Sequence, residues 1–406
     1  MKLLYFTTAS EQSTYEKIQQ KSRVKASVAS QVFESALLKG LASADGMELT
    51  LHSFPMIAAF PRSRMLCWGA KKQTAEGGFQ TRWLPTVNIS GLKQFSQRLS
   101  AGRAVKRWLE DNKDESDKAI LIYSIYEPIA AQILKYAPKY GCKTFAIVPD
   151  LPCDMYKTIS KNPVKAAMQK RYMKRATALQ GQFDGYIYLT QAMSEKVAPE
   201  KPFAVVEGIA DVGFIRYPFA AEKTKKRGIM YAGALREDYG LKNLIEAFLK
   251  LDLPDTELWL FGAGDYVPQI EKYASEHETV RYFGRVSRED VLLCERKATL
   301  LVNVRDPQEE FTKYSFPSKT IEYLLSGTPM LSTKLAGIPE EYFDHMFSIP
   351  DNSEDYIRKA LREILAMNPE ALVEKGAAAQ QFIARDKNAE VQAGRLTAFV
   401  MENCNA

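Results

Sequence analysis

The sequence predicts an α/β protein of two domains, each a parallel sheet flanked by helices. Three observations lead there. The chain has 406 residues, more than one ordinary hydrophobic core serves. Short β-rich runs alternate with helical stretches along its whole length, which is the pattern of parallel strands joined by crossover helices. The charge is also divided. Residues 1–215 hold 30 Lys and Arg against 19 Asp and Glu, a net of +11; the remainder then holds 25 and 30, a net of −5, and the two sum to the formal +6. A basic half and an acidic half suit two domains with different surroundings.

In the first half the expected strands are 3–6, 49–54, 119–123, 144–148, 186–189 and 204–206, and the expected helices 25–41, 92–110, 128–140 and 163–180. The polar stretch 7–30 reads as a long loop before the first long helix, with Ser27 and Ser30 near its start. In the second half the strands are 228–232, 257–261, 280–283, 299–302 and 347–349, and the helices 241–249, 266–275, 288–295, 317–325 and 353–364. Two more helices, 369–384 and 389–403, follow the last strand. The alternation occurs twice, so the reading is two Rossmann-like domains facing across a cleft, bounded at 1–215 and 216–385 and joined through the polar stretch 220–227. Ligands of such sheets bind at the carboxyl ends of the strands, where the strand order reverses.

Composition removes several classes. The apolar and charged fractions are those of a globular protein, and no run approaches the length of a membrane span. Five cysteines (Cys67, Cys142, Cys153, Cys294 and Cys404) are scattered without metal-ligand spacing and read as reduced thiols of a cytoplasmic protein. His52, His277 and His345 are far apart, so no histidine-rich metal site is expected.

The most informative run is 315–329. Ser315 and Pro317 suit a helix start, and Gly327 and Pro329 a stop. Ile321, Leu324 and Leu325 make an apolar stripe, which leaves Lys319, Glu322 and Ser326 on the opposite face. Helix amides and a lysine suit a diphosphate, and a carboxylate suits a ribose hydroxyl pair. An ordinary amphipathic helix with a solvated ion pair fits the same letters. Gly233 follows a strand and lets backbone approach a ligand closely, with Arg236 in the same loop within reach of a phosphate; a plain turn with an exposed arginine reads equally well. Gly262-Ala-Gly264 ends the next strand. Backbone around Phe283 can take a base edge and Arg285 can stack on a base. In the first half, Asp150 stands between two prolines and can orient an acceptor hydroxyl, or close an Asx-turn. Tyr123, Tyr126 and Glu127 leave the preceding strand toward the same side. The segment 157–175 is basic, with Val164, Met168, Tyr172 and Leu179 as an apolar stripe, and suits an anionic membrane surface or its own sheet. No nucleic-acid motif is present.

Taken together, Val206-Glu-Gly208, Tyr231-Ala-Gly-Ala-Leu235, Tyr239-Gly-Leu-Lys-Asn-Leu-Ile-Glu-Ala-Phe248, Leu258-Trp-Leu-Phe-Gly-Ala-Gly264, Val280-Arg-Tyr-Phe-Gly284 and the run from Phe316 to Pro329 resemble, in order and spacing, the donor-binding domain of bacterial family 4 glycosyltransferases of the GT-B fold. The form of the last run is similar to that of transferases building polysaccharide repeat units. The resemblance implies retaining transfer from a nucleotide-diphosphate sugar to a glycan acceptor, lipid-linked, without a metal ion. It makes 1–215 the acceptor domain and 216–385 the donor domain, with the final helix, about 386–403, crossing back to the first. Glu322 matches the glutamate expected at the donor ribose, and Ser318, Lys319 and Thr320 the helix start expected at the diphosphate. Arg236 and Lys319 would stabilise the leaving group, and Asp150 falls near the reacting centre. Tyr314 stands where the family often has a glutamate, Lys242 and Arg236 stand in for its usual basic pair, and the glycine-rich first loop is missing. A non-catalytic accessory subunit on the same fold is the alternative, with a nucleotide-sugar epimerase behind it. The implied location is the cytoplasm, peripheral on the inner face of the membrane.

Overall fold

The computed structural model describes residues 1–24, 28–74, 78–151, 163–213 and 226–404. Ser27, Pro152, Cys153, Lys157, Lys161 and most of the expected linker lie outside the described residues, as do the side chains of Val164, Lys165 and Met168. The chain divides into two compact units, Met1–Ile209 with Ala389–Ala406, and Ala210–Asn388.

The first unit contains β1 (Lys2–Thr7), β2 (Glu48–Ser53), β3 (Cys67–Trp68), β4 (Lys72–Thr74), β5 (Gln80–Trp83), β6 (Thr86–Val87), β7 (Lys118–Tyr123), β8 (Lys143–Val148), β9 (Gly185–Tyr188) and β10 (Phe203–Val205). Its main sheet runs β10-β9-β8-β7-β1-β2-β5-β4, and β3 pairs with β6. Every pairing in the main sheet is parallel except β4 with β5. The central strands read as continuous apolar runs because both faces are covered, and β7 is buried along its whole length. Leu3, Tyr5, Leu121 and Ile147 pack against Leu37 of the helix Val28–Leu41 and Leu396 and Val400 of the helix Ala389–Cys404. Those two helices cross closely: a Cβ on Gly40 would lie 1.9 Å from the Ala389 carbonyl oxygen.

The order reverses at β1, which has β2 on one side and β7 on the other. No glycine-rich loop leaves β1. Its place is taken by Thr7-Thr8-Ala9-Ser10, clamped from the helix Val28–Leu41. The buried Glu34 carboxyl accepts from the Tyr5 hydroxyl at 2.9 Å, the Thr7 hydroxyl at 2.6 Å, the Thr8 amide at 3.0 Å and the Thr8 hydroxyl. Gln31 exchanges bonds with the Ser10 backbone. Burial pushes the Glu34 carboxyl up to about 7, partly opposed by those donors.

The structure corrects several sequence readings, and the strand Met330–Thr333 of the second unit was not foreseen. The stretch 7–30 is not all loop, because the helix Gln12–Lys21 lies within it, seated by Thr14 and Ile18. It is polar enough to pass for a loop; two side chains facing inward suffice to dock it. The short strands β3 to β6 were not foreseen. They are two to four residues long and exist through pairing, not composition. The short helix Met193–Val197 was also unread.

The second unit contains β11 (Arg227–Ala234), β12 (Thr256–Ala263), β13 (Val280–Gly284), β14 (Leu300–Asn303), β15 (Met330–Thr333) and β16 (Phe347–Ile349), ordered β13-β12-β11-β14-β15-β16 and parallel throughout. The order reverses between β11 and β14. The helix Leu241–Leu249 buries Leu241, Leu244, Ile245 and Phe248 against Leu258, Leu260 and Ile270. The helix expected at 317–325 is Lys319–Leu325, and its N-cap is Ser318, not Ser315, without a side-chain cap bond. The Pro317 carbonyl instead accepts from the Thr320 amide at 2.8 Å, so the proline precedes the first turn.

Candidate active site in the second unit

The carboxyl end of β11 is held by tight backbone packing. Gly233 is paired with Gly262 of β12. Gly262 has φ +134°, and a Cβ there would sit 1.8 Å from the Gly233 carbonyl oxygen; one on Gly264 would sit 1.9 Å from that of Leu235. These glycines let two strand ends and their exit loops touch, whereas a Cβ on Gly233 would meet only the Tyr231 hydroxyl, at 3.3 Å.

Beyond that end, Arg236 forks onto Asp238 at 2.8 and 2.5 Å and lies 5.3 Å from the Tyr239 ring centre. Arg305, just past β14, lies 4.2 Å from the same ring. Phe311 stacks on Tyr239 at 6.0 Å. The exit loops of β11 and β14 can meet because Gly240, at φ +76°, leaves room for the Val304 carbonyl oxygen, 2.0 Å from where a Cβ would be. Two guanidinium groups therefore converge at the sheet's switch point. The Nε of Arg305 is buried and has no hydrogen-bond partner. Arg305 was not singled out by sequence. It lies in the charged loop after β14, and only the fold shows which charge of that loop turns to Tyr239.

The helix Lys319–Leu325 is fixed to β11 by Tyr323, whose hydroxyl accepts from the Ala232 amide at 2.7 Å and donates to the Ala232 carbonyl at 3.1 Å. Ile321, Leu324 and Leu325 are buried, and Lys319 and Glu322 lie on the other face, as the apolar stripe requires. Lys319 pairs with Glu322 and, at 3.4 Å, with Glu295. Arg288 reaches Glu322 at 3.7 Å. Side-chain exposure orders the group: 31% for Lys319, 20% for Glu322 and none for Glu295. Glu295 is thus the floor beneath a partly buried pair. Its Oε2 is buried without a hydrogen-bond partner, and the Glu322 carboxyl is among the groups that raise it.

Burial, then the Glu322 charge, pushes the Glu295 carboxyl well above its usual range, which favours its neutral form. Burial alone would raise Glu322 too, but Lys319, with help from Arg288, holds it below its ordinary value. Burial would lower Lys319, and the two glutamates more than offset that. The groups facing Glu295 are Lys319, Glu322 and Tyr323 from the helix Lys319–Leu325, and Cys294 on its own helix.

A pH test follows. The native state keeps the Glu295 proton where the unfolded chain has lost it, so this group subtracts stability as pH rises from about 4.5 to its raised native value, by about 1.4 kcal/mol per unit of elevation. Glu295→Gln keeps a neutral donor and does not titrate. Its melting temperature relative to the parent is expected to climb as pH rises from 5 toward 9; a constant difference would mean that Glu295 is ionised.

The remaining expected donor residues lie around these two clusters. Ser318 is exposed, and Thr320 is buried with its hydroxyl unpartnered. Phe283, at the end of the edge strand β13, is 39% exposed and stacks on Phe261 at 4.5 Å; Arg285 is exposed just beyond it. Lys319 and Glu322 are brought together directly. Arg236 belongs to the separate Tyr239 cluster.

In the first unit, Asp150 is exposed two residues past β8 and close enough to Tyr123 to influence its hydroxyl. Burial, with the Glu34 charge, raises Tyr123 far above its ordinary range; its hydroxyl bonds Ser30. Tyr126 donates to Gln97 at 2.8 Å and stacks on Phe54, and Glu127 pairs with Arg98. Both are buried and fasten the helices Lys93–Asp111 and Glu127–Tyr136 together.

Two units, each built on a doubly wound and almost wholly parallel sheet, are the architecture of the GT-B fold. Several solved structures share it over nearly the whole chain. Sucrose-phosphate synthase from Thermosynechococcus elongatus aligns with a TM-score of 0.63 and 13% identity, covering 99% of this chain and 98% of that one. The Anabaena protein HepE, in complex with UDP, aligns at 0.60 and 12%, covering 99% and 100%. The apo lipopolysaccharide outer core galactosyltransferase WaaB aligns at 0.59 and 12%, covering 99% of each. Residues 216–382, which make up most of the second unit, match the family Glycosyl transferases group 1. The match supports sugar transfer as the class of activity. No curated protein matches the chain in sequence. Among the described residues no helix is long and apolar enough to cross a membrane.

Proposed function

We propose that the protein is a retaining glycosyltransferase. It moves a sugar from a nucleotide-diphosphate donor to a lipid-linked glycan acceptor in bacterial polysaccharide synthesis. The observation that carries this reading is the pairing of Arg236 and Arg305 on one tyrosine ring at the switch point of a domain matching glycosyl transferases group 1. A leaving diphosphate gathers negative charge as the glycosidic bond breaks, and fixed cations aimed at it lower the barrier without a metal ion. Arg236, Arg305 and Lys319 supply that charge, and Glu322 accepts from the donor's ribose hydroxyls. The first unit binds the acceptor, with Asp150 orienting its hydroxyl. The protein works at the cytoplasmic face of the membrane.

The purified chain is to be incubated with UDP-, GDP- and dTDP-sugars while nucleotide release and melting temperature are followed. UDP-sugars come first, because one neighbour was solved with UDP. One donor is expected to raise the melting temperature and release its nucleotide. Tyr314, in place of the family's usual glutamate, favours a second reading, a non-catalytic accessory subunit. A donor that stabilises the chain without ever being turned over would establish that second reading.

A further inference from the structure

We propose that one face of the first unit, built from residues 56–66 and 86–89 and the start of the helix Lys93–Asp111, docks on an anionic lipid bilayer. The proposal rests on the membrane-peripheral part of the function above and is independent of sugar transfer.

The three segments form one piece of surface. The Phe60 amide donates to Asn88 O at 2.8 Å, the Asn88 amide to Leu66 O at 2.7 Å, and the Leu92 amide to Ile89 O at 3.0 Å. The Asn88 side chain adds bonds to Ala58 O and Met65 O. On this framework large apolar side chains stand in solvent: Phe60, Leu66, Leu92, Phe95 and Leu99, with Phe95 61% exposed. Scattered single residues of this kind are ordinary, but a contiguous set marks a surface that meets something apolar. Leu92, Phe95 and Leu99 follow each other at helical spacing, and Arg103 and Lys106 continue the same stripe.

Charge identifies the partner. Residues 49–109 carry ten Lys and Arg and a single acidic residue, Glu76. Arg62 and Arg64 are exposed between Phe60 and Leu66. Past the apolar part of the helix, Arg103, Lys106, Lys135 and Tyr136 line a groove of about 440 Å³. There the ammonium groups of Lys106, Lys135 and Lys139 gather around the Tyr136 ring at 5.6, 5.1 and 5.8 Å. The nearest acid along that helix, Glu110, accepts from the Tyr140 hydroxyl. Three like charges around one ring are eased by an anionic phosphate. A soluble polyanion would satisfy the cations and leave the apolar side chains in water, whereas a bilayer with acidic headgroups satisfies both. The basic segment 157–175, which the sequence offered for this role, contributes none of these residues.

The test is flotation of the full chain with phosphatidylcholine vesicles, with and without phosphatidylglycerol, at low and high salt. The parent is expected to bind only the vesicles with phosphatidylglycerol, less at high salt. The double variant Phe95→Ser, Leu99→Ser is expected to bind at least tenfold more weakly with an unchanged melting temperature. Arg103→Ser with Lys106→Ser is expected to weaken binding mainly at low salt, and Lys170→Ser with Lys174→Ser to bind like the parent. If the parent binds and the Phe95, Leu99 variant binds equally well, this face is wrong while the membrane reading survives. If the parent floats with no vesicle even at low salt, both fall.

Discussion

Glu322→Ala is expected to lower kcat/KM for the nucleotide-sugar donor by about a hundredfold or more, and Lys319→Ala by a similar factor, while both variants stay folded. A factor of a hundred corresponds to about 2.7 kcal/mol, which lies within the range for one hydrogen bond to a charged group. Glu322 is the more exposed carboxylate of its cluster, held ionised by Lys319 and Arg288. Its loss removes the acceptor for the donor's hydroxyls and opens no cavity in the core. Lys319→Ala would be severe for folding if it stranded a buried anion, because an unpaired buried charge is costly. It does not, since the Glu295 carboxyl beneath it is pushed well above its usual range, which favours its neutral form. Both melting temperatures are therefore expected within a few degrees of the parent. Glu322→Gln keeps an acceptor oxygen and is expected to fall between. Turnover at the parental rate by both alanine variants would show that this helix is not the donor site, whatever the fold.

Much of the architecture was legible because it is written in periodicity. The central strands are unbroken apolar runs, and Ile321, Leu324 and Leu325 declare which face of their helix is buried and so where Lys319 and Glu322 must stand. What escaped was set by tertiary partners. The helix Gln12–Lys21 is polar in letters and docks through two side chains. β3 to β6 are too short to carry an alternating pattern. Glu295 reads in sequence as an ordinary helical glutamate, and nothing local says that it is buried under Lys319. Arg305 is one charge among several in its loop until β14 is placed beside β11. The glycines at 233, 262 and 264 were noticed, but letters alone do not separate approach to a ligand from approach to a neighbouring strand.

That separation can be made by substitution. Gly262→Ala is expected to lower the stability of the second unit by about 3–5 kcal/mol. The Cβ would fall 1.8 Å from the Gly233 carbonyl oxygen, on a paired strand that cannot swing aside as a side chain end would, and φ +134° is a conformation L-residues rarely adopt. Strained backbone costs about 1–3 kcal/mol and overpacking about as much again, a large share of a typical total of about 5–15 kcal/mol. For a unit of this size a loss of that order lowers the melting temperature by about 10 °C. Gly233→Ala meets only a tyrosine hydroxyl at 3.3 Å, which can give way by a few tenths of an ångström, so its melting temperature is expected to stay close to the parent's. If Gly233→Ala then binds donor more weakly, that glycine serves the ligand and Gly262 serves the sheet. If Gly262→Ala melts with the parent, β11 and β12 do not close on each other as described, and Arg236, which leaves the end of β11, loses the support that aims it.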